Sequence, residues 1–522
     1  MSFPTPAELG LPDKFSSWFP NQLDAAMEID NCERPYITQV NGTGSGKTLI
    51  YVSAAYMSGS RTVILTSTKG LQSQLLNDFH SIGLVDIRGK NAYQCRKEKD
   101  GSTCDHGPCI AGYKCEYKSG GCKYFDVLRR AKSARIVSTN YSCWMHNNIH
   151  GEGFGSFDMM VCDEAHNLPD LISDFLTVSI KTSNPYIIQI LPADYTSYKY
   201  EDWTAWAKGI EDRVHGDVES LRSEILMGRA DKDTRRLLSQ LLSFERTLKV
   251  LLRLNNNWII DYSIKDCVSF APIWPRKFSK EVLFFDIPKI LLTSATVCKK
   301  TLDMVGIESD ESVFTEYPNP FPAINRRLIH IPTIRLNRYT TPSMFKNWLS
   351  RIDQILRMRM DRKGLIHTVS YARRNEIIGY SEFRKYMITH ETKTAVNAVH
   401  SFKHASAPAF LVSPSMTTGW DFPGDECRFQ IIGKISYPDT RNKIIKARCD
   451  QDKEYAGYIA MQHLIQTCGR GMRYLTDWVE NLIVDDSVTW FMKRNKKFAP
   501  SWFVSSFVSK KMIPQPPVKK IV

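Results

Sequence analysis

Two short segments carry residues whose types and order could do phosphate chemistry. The first is Asn41-Gly42-Thr43-Gly44-Ser45-Gly46-Lys47-Thr48, which follows the β-rich run Tyr36–Val40 and precedes the helical Leu49–Met57. In a strand-to-helix turn, glycines let backbone N–H groups wrap phosphates, a lysine reaches the terminal ones and a following hydroxyl ligates Mg²⁺. Lys47 and Thr48 stand in those two places. The general pattern opens on glycine, and here that position is Asn41. The second segment is Asp163-Glu164-Ala165-His166, directly after the apolar run Met159–Cys162. A buried strand ending in paired carboxylates would put Asp163 on the metal and Glu164 on an attacking water. Together the segments predict an ATP site in which Gly42, Thr43, Gly44, Ser45, Gly46, Lys47, Thr48, Asp163 and His166 line the nucleotide and Thr48 and Asp163 hold Mg²⁺.

A third group is sulfur. Of thirteen cysteines, five fall between Cys95 and Cys122, at Cys95, Cys104, Cys109, Cys115 and Cys122. None forms a C-x-x-C pair, which counts against a zinc ribbon or finger. Thiolates alone, in an irregular loop, suit an iron–sulfur cubane held by four of the five. A zinc site and free thiols are the alternatives. Gly107-Pro108 and Gly112 supply tight turns around Cys109 and Cys115, which favours those two beside Cys95 and Cys122.

The elements that must position these groups come in two α/β blocks. Tyr36–Val40, Thr62–Leu65, Arg135–Ser138 and Met159–Cys162 read as strands alternating with helices, and so do Gly364–Thr368, Ala409–Val412, Phe429–Ile432 and Asn481–Val484. Between the blocks the pattern is helical: Leu237, Leu238, Leu241, Leu242, Leu248, Leu251 and Leu252 recur at helical spacing, with Asp231 and Asp233 as candidate caps. A chain of 522 residues exceeds one ordinary core. Its net charge of +14 favours a polyanionic partner. No apolar run approaches the ~20 residues of a bilayer span, and MSFPTPAELG lacks the pattern of an export signal. The expectation is an intracellular protein that engages no membrane.

In detail the motifs resemble those of superfamily 2 helicases, and within them a compact form of the XPD/DinG iron–sulfur family with its DEAH box. The match includes Thr66-Ser-Thr68, Asn140-Tyr141, Asp163-Glu-Ala-His-Asn167, Leu292-Thr-Ser-Ala-Thr296, Gly364–Tyr371, Thr418-Gly-Trp-Asp-Phe-Pro-Gly424 and Gln466-Thr-Cys-Gly-Arg470-Gly-Met-Arg473. Asn91-Ala-Tyr-Gln-Cys95 and Gly121-Cys122-Lys-Tyr-Phe125 are similar to segments bearing the family's first and last cluster ligands. In the last motor motif, Gln466, Arg470 and Arg473 are spaced to share one helix face, which could present two arginine fingers to the γ-phosphate. Gln22 lies where the family reads adenine, although the aromatic or Arg partner that often precedes it is missing.

The resemblance implies a division of the chain. Residues 1–86, 128–167 and 280–318 would build a first RecA-like parallel-sheet motor domain, and 319–522 a second. Residues 87–127 would form a 4Fe–4S module and 168–279 a helical arch-like insertion, both within the first domain. It further implies a monomeric ATP-dependent DNA helicase, moving 5′ to 3′ on single-stranded or forked DNA in replication, recombination or repair. Remodelling of RNA–DNA hybrids or of protein–DNA complexes is the alternative, and so is a binding factor with a vestigial ATPase. Thr68, Asn140, Ser370 and Thr418 would hold the strand backbone. Tyr195, Tyr198, Tyr200, Trp203 and Trp206 read as core more readily than as base-stacking residues. The run Lys493, Arg494, Lys496, Lys497 with Phe498 and Trp502 reads equally as either.

Overall fold

A computed structural model describes residues 4–98, 101–111, 115–227, 231–337, 339–416, 420–473 and 476–517. The chain opens with strands β1 (Tyr36–Val40), β2 (Thr62–Thr66), β3 (Val85–Asp86), β4 (Ile136–Asn140) and β5 (Met159–Asp163). It then leaves the sheet for β6 (Val178–Lys181), β7 (Trp258–Asp261) and β8 (Cys267–Pro272), and returns with β9 (Lys289–Ser294) and β10 (Ser312–Glu316). The first sheet is parallel throughout, in the order β10-β1-β9-β5-β2-β4-β3. All five residues of β1, β2 and β5 are buried, as expected of a sheet with helices on both faces.

The second sheet comprises β11 (Leu328–His330), β12 (Lys363–His367), β13 (Met387–Ile388), β14 (Ala409–Ser413), β15 (Phe429–Ile432), β16 (Glu480–Ile483) and β17 (Phe507–Ser509). It too is parallel, in the order β13-β14-β12-β15-β16-β11-β17. Gly364 in β12 shows what sets one of its registers: a Cβ there would run into the Phe429 ring of neighbouring β15. Both sheets have the α/β architecture of RecA-like domains.

The region between β5 and β9 differs from the helical expectation. Two long helices, Tyr200–Leu226 and Lys232–Leu251, are present, and Asp231 caps the second by accepting from Thr234 N at 2.8 Å. Yet they pack on an antiparallel sheet ordered β6-β8-β7. The leucine period dominates the sequence signal here, whereas the three strands are only four to six residues long. Trp203 is the centre of this core, with ring contacts to Tyr198, Trp206 and Phe270 at 5.4, 5.2 and 5.1 Å. Its indole N–H donates to Tyr262, Trp206 donates to Ile190 O, and Tyr200 donates to Trp258 O. The aromatic group around Tyr195 is therefore core.

One arginine of the second domain reaches into the first. Arg448, on the helix Lys443–Gln451, donates to Asp170 Oδ1 and Ser173 Oγ at 2.7 Å, and to Ile273 O at 2.6 Å. It also donates to Tyr455 Oη at 3.0 Å and lies over the Trp274 ring. Asp170 and Ser173 belong to the helix Leu168–Leu176, which follows the Asp163–Asn167 segment. A planar fork with this many fixed acceptors is not replaceable by an ammonium. Both Arg448→Ala and Arg448→Lys are expected to lower stability, the former by about 3 kcal/mol. Calorimetric melting of the two variants against the parent checks this, and an unchanged transition would contradict it.

Candidate nucleotide site and strand cavity

The phosphate loop is built by close approaches that only glycine allows. Gly44 and Gly46 have φ of +80° and +74°, in the left-handed region. A Cβ at Gly44 would lie 2.7 Å from Met472 O of the second domain, and one at Gly46 would overlap the Gln22 amide. Gln22 lies buried beneath the loop. Its Nε2 donates to Ser45 O at 2.8 Å and to Gly46 O at 3.4 Å, while its Oε1 accepts from Phe19 N at 2.8 Å. In this conformation the amide of Gln22 braces the loop. Asn41 donates its backbone N–H to Ser294 O at the end of β9, tying the departure from the glycine pattern to the next functional strand.

The carboxylate pair sits where β5 ends. Glu164 has φ +53°, a conformation costly for a non-glycine residue. Tyr141 Oη donates to Asp163 O at 2.7 Å and Glu164 N donates to Asp163 Oδ1 at 2.9 Å, which over-determine the turn. Glu164 Oε1 faces Lys47 Nζ at 3.5 Å, and its Oε2 accepts from Ser294 Oγ at 3.3 Å. His166 Nδ1 lies 2.7 Å from the same Ser294 hydroxyl. The buried hydroxyl of Tyr51 is 3.4 Å from both Thr48 Oγ1 and Asp163 Oδ2, so these two oxygens face a common point. Burial, and then the Glu164 charge, push the Asp163 carboxyl above its ordinary range. Burial opposes the charge on Glu164 as well, but Lys47, His166 and Arg470 together hold that carboxyl low.

The second domain closes the site from the opposite side. Gln466, at the end of the helix Tyr455–Cys468, donates to Thr296 Oγ1 at 3.1 Å and lies 3.5 Å from His166 Nε2. The helix stops at Cys468, so Arg470 and Arg473 do not continue its face as their spacing predicts. Gly469 ends the helix and approaches the phosphate loop so closely that a Cβ would meet Thr43 Oγ1 at 2.8 Å. Arg470 folds back, donating to Gln466 O at 3.1 Å and Trp420 O at 2.8 Å. Arg473 pairs closely with Asp421, which Arg470 Nη1 also faces at 3.9 Å, and the Arg473 backbone N–H donates to Asp477. Of the two arginines, Arg470 is the one whose charge reaches Glu164.

Three of the residues expected on a strand backbone share one structural role. Thr68, Asn140 and Ser370 are N-caps of the helices after β2, β4 and β12, accepting from Leu71 N, Cys143 N and Arg373 N. Each thus marks a helix N-terminus on the carboxyl edge of a parallel sheet, where anions bind. Thr418 lies outside the described residues. Thr66, Asn140 and Tyr141 border a cavity of about 1000 Å³ that also meets the cysteine-rich segment at Cys109 and the two long helices at Arg222 and Arg246.

Residues 355–505 match the family described as Helicase C-terminal domain, and residues 19–190 match type III restriction enzyme, res subunit. The ATP-dependent DNA helicase YoaA of Haemophilus influenzae is 24% identical over 198 residues, 27% of this chain and 31% of that protein. The chain thus matches less than a third of that relative's length. A solved XPD helicase superposes with a TM-score of 0.63 at 15% identity, over 94% of this chain and 98% of its own. Xpd4 of S. tokodaii does so with a TM-score of 0.57 at 12% identity, over 94% and 99%. The chain thus carries a helicase C-terminal domain, and its fold is that of the solved XPD helicases.

The five clustered cysteines line one small pocket with Lys90, Arg96, Lys97, Tyr117, Tyr124 and Phe125. Cys104 Sγ and Cys122 Sγ are 3.9 Å apart, and Gly107 lets the chain pass over Cys95 Sγ. Among the described residues no group of three or more Cys, His, Asp or Glu is gathered tightly enough to hold a single metal ion. A pocket lined by thiols and by neither carboxylate nor imidazole has the donor set of a thiolate-held centre. Tyr51 is a site residue outside the quoted motifs, while Tyr141 and Ser294 lie within them but are given no place at the nucleotide by the sequence. Hydrogen-bonding partners far away in the chain reveal what each does. Burial, followed by the neighbouring thiols, pushes Cys104 up to about 12 and Cys109 up to about 11. A raised thiol stays protonated and unreactive at neutral pH. In metal-free protein, iodoacetamide at pH 7.5 should label Cys104 more slowly than partly exposed Cys32 and Cys267, as read by mass spectrometry. Equal rates would show that the pocket is open.

Proposed function

We propose that this chain is an ATP-driven motor on single-stranded DNA. The observation that supports it most is the run of polar contacts from Lys47 through Glu164, Ser294 and His166 to Gln466 and Arg470, which crosses from one parallel sheet to the other. Lys47 would neutralise the terminal phosphates, with the loop N–H groups around them. Thr48 and Asp163 supply oxygens that would hold Mg²⁺, which would supply positive charge at the phosphates. Glu164, kept ionised by Lys47 and His166, would orient the attacking water and take its proton. Arg470 would stabilise charge on the γ-phosphate from across the cleft. Loss of that phosphate removes what draws Arg470 toward the loop, and the motion of Gln466 passes to His166 and Thr296.

Residues 1–86, 128–167 and 280–318 would then be the first motor domain and 319–522 the second, with 87–127 the cluster module and 168–279 an arch-like insertion. The strand would pass through the large cavity, whose Lys69, Arg88, Lys90, Arg222 and Arg246 carry the charge to neutralise its phosphates. Cys95, Cys109, Cys115 and Cys122, with Cys104 as the fifth candidate, would hold a 4Fe–4S cluster. When bound, such a cluster staples a segment that has little core of its own. The family resemblance suggests 5′-to-3′ movement and a forked substrate. RNA–DNA hybrids and protein-blocked strands are the alternative substrates, and matched assays on the three separate them.

Lys47→Ala should abolish strand-stimulated hydrolysis, and Arg470→Ala should lower kcat by about 10³ with a smaller change in KM. Stimulated hydrolysis surviving in Lys47→Ala would overturn the site. Anaerobically purified protein should be brown and carry about four irons per chain. Colourless protein with zinc would overturn the cluster.

A further inference from the structure

The basic run near the C-terminus has aromatic neighbours, but not those its sequence suggests. Phe498 is buried in the second domain's core, and Trp502 packs against that core with Arg326 over its ring. The exposed aromatic is Trp490, with 53% of its surface open to solvent. It lies on the helix Ser487–Asn495, which turns Val488, Phe491 and Met492 inward. Arg494, one turn on, places its guanidinium 5.4 Å from the Trp490 ring centre. Tyr437, from the loop after β15, is 44% exposed and meets Phe491 edge-on at 5.9 Å. Among the described residues, Arg494 forms no ion pair with a carboxylate.

These groups come from two separate segments, which follow the carboxyl ends of β15 and β16, neighbours in the sheet. Ser370 caps its helix at that same edge, after β12. Two exposed aromatic side chains on or against one helix, with an unpaired guanidinium over one of them, match a single strand: bases have π-faces to stack, and phosphates have charge to neutralise. An acidic protein segment would engage Arg494 but would leave two exposed rings without a use. A solvated helix face would account for Arg494, but it gives no reason for Trp490 and Tyr437 both to stand exposed at the same helix.

We propose that Tyr437, Trp490 and Arg494 form a base-stacking platform for single-stranded nucleic acid on the second domain, outside the motifs and the large cavity. The proposal rests on the strand-motor reading above. Binding of a fluorescent oligo-dT strand by the full chain, followed by anisotropy, tests it. Trp490→Ala and Tyr437→Ala should each weaken binding by roughly fivefold to a hundredfold, since one stacked base contributes about 1–3 kcal/mol. Trp490→Phe should recover most of the loss, which a purely structural defect at that position would not predict. Arg494→Ala should make the salt dependence shallower by about 0.7 in log–log slope. Hydrolysis without a strand should be unchanged in all four variants, which controls for folding. If the Tyr437→Ala/Trp490→Ala double variant binds oligo-dT as the parent does, the platform is wrong and the motor reading stands; an acidic protein partner would then be the better occupant. If the parent itself neither binds oligo-dT nor shows strand-stimulated hydrolysis, the motor reading fails and takes the platform with it.

Discussion

Two carboxylates buried side by side at the end of β5 are the constraint around which the rest is organised. Asp163 and Glu164 cannot both stay charged in that setting unless positive charge is brought to them. Lys47 comes from the phosphate loop, His166 from three residues along, and Arg470 from the other domain. The first two are available as soon as one domain folds. The third is present only when the domains are together, so the electrostatics of the pair depend on domain closure. That dependence is what a motor needs: the site is complete in one arrangement of its halves and incomplete in another.

The seam between the halves combines close backbone approaches and the Gln466 contacts to Thr296 and His166 at one edge with a fixed side-chain fork at the other. Gly469 passes against Thr43, and Met472 O against Gly44, with no room for a methyl group. Contacts of this kind hold through shape and contribute little attraction, so they can part. Arg448, by contrast, satisfies acceptors on the helix after the Asp163–Asn167 segment, at the foot of the insertion and on Tyr455. Separating it would strand several buried polar groups at once. Movement is accordingly cheaper at the phosphate-loop edge than at the Arg448 edge.

Much of the fold was legible in the sequence because parallel strands buried on both faces appear as continuous apolar runs. All eight strands read from such runs are present, with ends displaced by at most two residues. The strands that were missed have other origins. β3, β11, β13 and β17 are two or three residues long, β10 is only partly buried, β9 is half hidden in the Leu292–Thr296 motif, and β6, β7 and β8 lie in a region whose leucine period speaks only for its helices. Arg470 and Arg473 were placed on a helix face by spacing alone. Gly469 ends the helix first; Arg470 then turns back on Gln466 O and Trp420 O, while Arg473 closes on Asp421.

What the sequence by itself determined is therefore the local chemistry: a glycine-rich loop before a helix, a carboxylate pair after a strand, five thiols in one loop, arginines after a glutamine. Each is a short segment whose backbone preferences and residue types suffice to show what it can do. Only the tertiary structure decided which of them meet. Tyr51 between Thr48 and Asp163, Ser294 between Glu164 and His166, and Gln22 beneath the loop are contacts between segments distant in the chain. The sheet order sets those meetings, and no local spacing records it.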